Sequence, residues 1–175
     1  MKKLKVLVLV VAVICVGSFG FKAFAEGEED QPIITDTQRE TIIDHCDAMR
    51  DNLKSLQRVD SRTRVYLGRY YETILTNFIT PLNLRLVENN ISNPGLLENQ
   101  TNFANKRTNF VNNFIVYQQA LEELVNTNCK SEPDKFYERL LTAREKRQAV
   151  NKDVTKLRAL TDEQVKLVEN LKDGQ

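Results

Sequence analysis

From residue 42 onward the apolar positions of this chain fall three and four apart in alternation. The first series runs Ile42, Cys46, Met49, Leu53 and Leu56, breaks at Asp60 and Thr63, and resumes at Leu67, Tyr70 and Ile74. A period near 3.6 residues puts all of them on one face of a long helix. "ITDTQRE" marks its start as a capping box, with Thr35 at the N-cap answered by Gln38 three residues on. Pro81 marks the expected end, because proline removes a donor and disfavours helix at the residue before it. A short segment, "LNLRLVEN", then leads into the turn cluster "NNISNPG".

A second series, Leu96, Gln100, Phe103, Arg107, Phe110, Phe114, Tyr117, Leu121 and Leu124, predicts a helix from about residue 96 to 128. Asn102, Asn105, Asn109 and Asn112 fall off this seam and are expected on a wet face. After the turn "NCKSEPD", a third helix begins near Asp134 and carries Tyr137, Leu140, Ala143, Arg147, Val150, Val154, Leu157, Thr161 and Val168. No part of residues 35–173 alternates with the period of a strand.

With Pro81 as the first stop, the legs from Cys46 to Thr80, Leu96 to Cys129 and Asp134 to Val168 span 34, 33 and 34 steps. At 1.5 Å per residue each is about 50 Å long. Equal legs and short turns predict an all-α fold. Its expected form is an elongated, coiled-coil-like antiparallel three-helix bundle, closed as one domain over residues 35–173 with a short capping segment after the first helix.

The register follows from the two cysteines of that domain. Cys46 and Cys129 come to the same end, and an even cysteine count in an exported chain favours a disulfide. Fourteen steps on, Asp60 lies level with about position 148 of the third helix, next to Arg147. Asp60 and Arg147 are therefore expected to meet in a polar layer, with Thr63 and Arg144 close by. By the same counting Arg107 should reach Asp153. Such a layer costs desolvation and penalises helices that slip by a heptad.

The N-terminal sequence changes the setting. "MKKLK" is basic, residues 6–16 are an apolar run of 11, and "AFA" ends at Ala25 before the acidic "EGEED". That is the layout of a secretory signal peptide over residues 1–25, followed by a flexible acidic leader over residues 26–34. Carrying the run on to Phe21 gives 16 residues with only Ser18 polar, so membrane anchoring is expected only through an uncleaved N-terminal segment. Cleavage would remove four lysines and leave 21 basic against 24 acidic residues, a net charge of −3. No basic excess remains to draw nucleic acid or anionic lipid.

Candidate chemistry is sparse, and the expectation is a non-enzymatic protein with no cofactor and no metal. His45 is the only histidine and sits in "DHCD", where consecutive helical residues diverge by about 100° and cannot converge on one ion. A nucleophile would have to share that histidine, and the glycines are too scattered for a phosphate loop. Glu122 and Glu123 read as solvated surface; Asn90 and Asn99 match the short glycosylation pattern.

"LTDEQ" (160–164) and "ITDTQ" (34–38, with Ile for Leu) resemble the L-T-x-x-Q element of the small helical periplasmic stress chaperones related to Spy and CpxP. The resemblance implies an all-helical exported protein with a client-binding surface. A capping box accounts equally for both stretches, and at the second it would break or restart the third helix near Thr161. Two functions therefore stand. One is an interaction or structural module docking a protein partner in the cell envelope or outside the cell, with apolar surface exposed at one end. The other is a chaperone-like or ligand-binding bundle with a continuous apolar stripe along one leg. Leu82, Leu84, Leu86, Val87 and Ile91 form the largest unclaimed apolar group, a candidate partner surface or a plug over the bundle end.

Overall fold

The computed structural model describes residues 34–173, and the regular structure among them is entirely helical. The signal-peptide and leader readings of residues 1–33 lie outside the described residues. Ile34, counted with the leader, is instead buried in the core directly before the N-cap. The helices are α1 (Asp36–Asp44), α2 (Cys46–Thr73), α3 (Thr80–Glu88), α4 (Pro94–Asn126) and α5 (Pro133–Asp173).

Thr35 caps α1 as a full capping box: its hydroxyl accepts from the Gln38 N–H, and the Gln38 side chain accepts from the Thr35 N–H. At His45 the chain bends and continues as α2. Pro81 does not end this leg, contrary to expectation. Residues Ile74–Ile79 form a π-helical segment, Thr80 donates its N–H five residues back to Leu75, and Pro81 follows in the first turn of α3. Proline tolerates a first turn because its missing donor is not needed there. The residue that cannot donate thus sits where the ladder changes its spacing.

The leg stops at Asn89. Asn90 takes φ 57°, the Asn90 N–H donates to Val87 O and the Ile91 N–H to Leu86 O, which is a Schellman motif with asparagine in the left-handed position. Asn93 then caps α4, its side chain accepting from the Leu96 N–H, with Pro94 as first residue. α5 runs unbroken through "LTDEQ". The Thr161 hydroxyl donates to Leu157 O within the helix and caps nothing. The break or restart that a cap at Thr161 would bring does not occur, since a hydroxyl inside a helix can bond back to the preceding turn.

Leg one (α1 to α3), α4 and α5 run alternately up and down as a helical bundle with α4 in the middle. α4 packs along α5 and along leg one, whereas the middle of leg one and α5 touch little. The core is Phe103, Phe110, Phe114, Tyr117, Leu121 and Leu124 of α4 between Tyr71 and Ile79 on one side and Phe136, Val150, Leu157 and Leu160 on the other. Tyr71, Phe110, Phe114 and Tyr117 form a chain of edge-to-face aromatic contacts with centroids 5.6–5.8 Å apart. The disulfide Cys46–Cys129 joins the start of α2 to the turn after α4. Beside it Arg39 forks onto Asp134 at 2.9 and 3.2 Å and holds that carboxyl below the usual carboxylate range.

Candidate functional site

Asp60 sits in the α2 face that meets α4 and is buried. Its closest partner is one that the sequence pattern hid inside an apolar seam: the Tyr117 hydroxyl donates to Asp60 Oδ2 at 2.6 Å. Arg147 of α5 stands on the other oxygen, Nη2 3.6 Å from Oδ1, with its side chain 48% exposed. Burial, and then the bond to Asp60, push the Tyr117 phenol well above its ordinary range. Thr63 and Arg144 are both exposed, and the Thr63 hydroxyl donates to Val59 O of its own helix. The layer is extended instead by Gln118, which accepts from Arg64 at 2.6 Å and donates to Ser61 at 2.9 Å.

Arg107 and Asp153 do not meet. Arg107 pairs with Glu72 of α2, while the buried Asp153 carboxylate accepts from Lys106 Nζ at 3.2 Å and from the Asn113 amide at 2.7 Å. The reason is geometric. As the middle helix, α4 presents two flanks, and residues one apart differ by about 100°. Lys106 and Asn113, seven apart, share the α5 flank; Arg107 turns to leg one. These hydrogen bonds and ion pairs tie leg one, α4 and α5 together at the level of Asp60 and Asp153.

The wet face is as the pattern predicts: Asn102, Asn105, Asn109 and Asn112 are exposed. Asn99, the second glycosylation-pattern asparagine, is buried and donates to Leu160 O at 3.1 Å, which closes that position to a sugar. Asn83, also buried, donates to Leu96 O and to Gln100, tying α3 to α4.

The larger feature is apolar and exposed. Of the large apolar side chains more than a third exposed, Val59, Val65, Tyr66, Tyr70, Phe78, Leu84 and Val87 lie on leg one and Ile91 in the turn after it, against Leu97, Ile115 and Val116 on α4 and Leu141 and Val165 on α5. Tyr66 is 69% and Phe78 66% exposed. The Tyr66 and Tyr70 rings stack with centroids 6.4 Å apart. Tyr70 is shared by a groove running up toward Val65 and by another running down past Ile74 and Phe78 to Leu82, with α5 as its far wall. Of the candidate end group, Leu84, Val87 and Ile91 are exposed, Leu82 and Leu86 half-buried, and Leu86, Val87 and Ile91 line a small hollow with Leu97. The apolar seam positions counted on leg one are buried or half-buried except Tyr70; the other exposed apolar residues of this leg lie off that seam. No protein-family model, curated protein or solved structure matches the chain.

Proposed function

We propose that this chain is a non-enzymatic binding module that presents an apolar stripe on its first leg to polypeptide partners outside the cytoplasm. One observation carries the reading: exposed apolar side chains recur along leg one from Val59 to Val87, more densely than on α4 or α5. Apolar side chains that cluster on an exposed face, as the stacked Tyr66 and Tyr70 do where two mainly apolar grooves meet, mark a surface that a partner covers. Of the two functions open at the sequence level, a stripe of this form supports the client-binding one. The Leu84, Val87 and Ile91 group beside the α3–α4 turn supports the other, docking of a single envelope partner at one end.

Export rests on the layout of residues 1–25, and a disulfide-bonded pair is compatible with it. Intact-mass measurement of protein recovered outside the cytoplasm should give a chain beginning at Glu26. Finding Met1 in a membrane pellet would instead establish an anchored form. For binding, the full exported chain at a few-fold molar excess should suppress the light scattering of an aggregating, reduced and carboxymethylated model protein. The Tyr66→Ser and Phe78→Ser double variant should lose most of that effect at unchanged melting temperature. Equal suppression by wild type and variant, or none by the wild type, would sink the reading.

A further inference from the structure

A second three-and-four rhythm runs along the outer side of α2, through Val59, Arg62, Tyr66, Arg69 and Thr73. All five are exposed, and at the helical rise per residue the row is about 21 Å long. From Val59 to Arg69 apolar and arginine positions alternate in it, so neither kind alone shows the repeat. Arg62, Val65, Tyr66, Arg69 and Tyr70 share one open groove of about 740 Å³, walled by α2 alone. The charge of this face is not neutralised from within. Between Asp51 and Glu72 the leg carries Lys54, Arg58, Arg62, Arg64 and Arg69 against a single acid, Asp60. Asp60 is turned inward onto Tyr117 and Arg147, and Glu72 pairs with Arg107. Among the described residues no carboxylate pairs with Arg58, Arg62 or Arg69. Across Tyr70, α5 adds Arg158 and Asp162, whose charges offset each other.

A row of this period is matched by another helix, whose own side chains recur three and four apart and seat between these. Complementarity sets what that helix carries: carboxylates opposite Arg62 and Arg69, apolar groups opposite Val59 and Tyr66. A second copy of this chain fits badly, since a two-fold contact would set the arginine row against itself. A bilayer surface also fits badly. Arg62 and Arg69 stand in the middle of the face, with Val65 to one side and Tyr66 and Tyr70 to the other, whereas a helix that beds into lipid keeps its charges off its apolar face. We propose that the outer face of α2 docks an acidic amphipathic helix of a partner polypeptide. Carboxylates seven residues apart in that helix pair with Arg62 and Arg69, and its apolar residues pack on Val59, Tyr66 and Tyr70. The inference rests on the reading of leg one as a polypeptide-binding surface and names the charge and shape of the segment bound there.

The test is calorimetric titration of the full chain at low ionic strength with end-blocked helical peptides of equal length. One alternates glutamate and leucine along a three-and-four seam, a second has glutamine for each seam glutamate, and a third has the first peptide's composition in scrambled order. Phosphatidylglycerol vesicles and an oligothymidylate serve as the lipid and nucleic-acid probes. The wild type should bind the acidic peptide and lose on the order of tenfold in affinity with the glutamine or the scrambled one, from two exposed ion pairs contributing about threefold each. The Arg62→Glu and Arg69→Glu double variant changes exposed, unpaired side chains and should melt as the wild type does. It should bind the acidic peptide about tenfold more weakly and prefer a peptide with lysine at the same seam positions. Equal binding of the acidic and glutamine peptides, equal binding of the scrambled one, or undiminished binding by the variant overturns the inference while leaving the stripe reading intact. Arginine-dependent binding of vesicles or oligothymidylate, without peptide binding, overturns it in favour of a membrane-surface or nucleic-acid site. Peptide binding as expected without suppression of aggregation upholds the docking face and replaces client binding by a dedicated partner. Failure of the wild type both to bind peptide and to suppress aggregation defeats the underlying reading itself.

Discussion

Replacing Tyr117 with phenylalanine removes one oxygen from the core and little else. That oxygen donates to the buried Asp60 carboxylate at 2.6 Å, and the remaining partner, Arg147, is at 3.6 Å and half exposed. A hydrogen bond to a charged group contributes about 1.5–3 kcal/mol, and its loss leaves the carboxylate under-solvated. A pair as exposed as Asp60–Arg147 contributes about 0.2–1 kcal/mol, well short of a fully buried one. Tyr117→Phe should therefore cost about 2 kcal/mol, roughly 6–10 °C in melting temperature for a body of this size, and Arg147→Ala less than half as much. Asp60→Leu combined with Tyr117→Phe should recover most of the loss, because replacing both polar partners with apolar groups strands neither. The assay is urea unfolding of the disulfide-intact protein by far-UV circular dichroism, arranged as a double-mutant cycle between positions 60 and 117. Coupling below about 0.5 kcal/mol, or an Arg147→Ala loss equal to that of Tyr117→Phe, would refute this assignment of the layer's strength.

Breaking Cys46–Cys129 by a double alanine substitution frees a span of 83 residues, for which the chain-entropy model gives at most about 4.5 kcal/mol. Two free thiols titrated in unfolded, unreduced protein would show that the bridge does not form. Gly68 lies inside α2 and an added Cβ there meets nothing within 4 Å, whereas at Gly95 it would meet Leu167 at 3.2 Å. Gly68→Ala should thus raise stability by about 0.5–1 kcal/mol, with Gly95→Ala gaining less, both read from denaturant midpoints. Burial raises the phenols of Tyr71 and Tyr117. A proton held more tightly in the folded state stabilises it fully below the unfolded phenol value, and that contribution is lost as pH rises through the folded one. Stability should fall above about pH 10, and it should fall less steeply in Tyr117→Phe, measured by urea midpoints across that range.

Much of the α4 seam was legible because its heptad-like spacing is carried by Phe103, Phe110, Phe114 and Leu121, which have no polar competitor. Elsewhere the pattern misled where two flanks or a changed helical pitch were involved. Tyr70 was expected inside and Tyr71 is, because the buried positions shift from the counted seam to Tyr71, Ile79 and Asn83 around the wide turn. Phe136 is buried and Tyr137 only half so, and Asp153, Leu160 and Gln164 join the α5 interior without an apolar rhythm to announce them. The meeting of Asp60 with Arg147 was readable from the leg lengths together with the register set by Cys46 and Cys129. The Tyr117 hydroxyl was not, since a tyrosine in an apolar seam looks the same whether or not its oxygen is used. The exposed stripe went unread because Val59, Val65, Tyr66 and Phe78 lie off the counted seam, where a lone apolar residue carries no periodic signal.

The wide turn at Ile74–Ile79 and the proline behind it also say something about descent. A proline at position 81 of an ordinary α-helix would cost roughly 3 kcal/mol, through a lost bond and a clash with the carbonyl four residues back. Behind a turn whose ladder already reaches five residues, that penalty is largely absent. A lineage that acquires both features without an unstable intermediate must acquire the widened turn first and the proline second. The two are then locked together. Deleting a single residue from 74–79 should be damaging while Pro81 is present and mild once it is alanine, so relatives of this chain should not carry the proline without the widened turn.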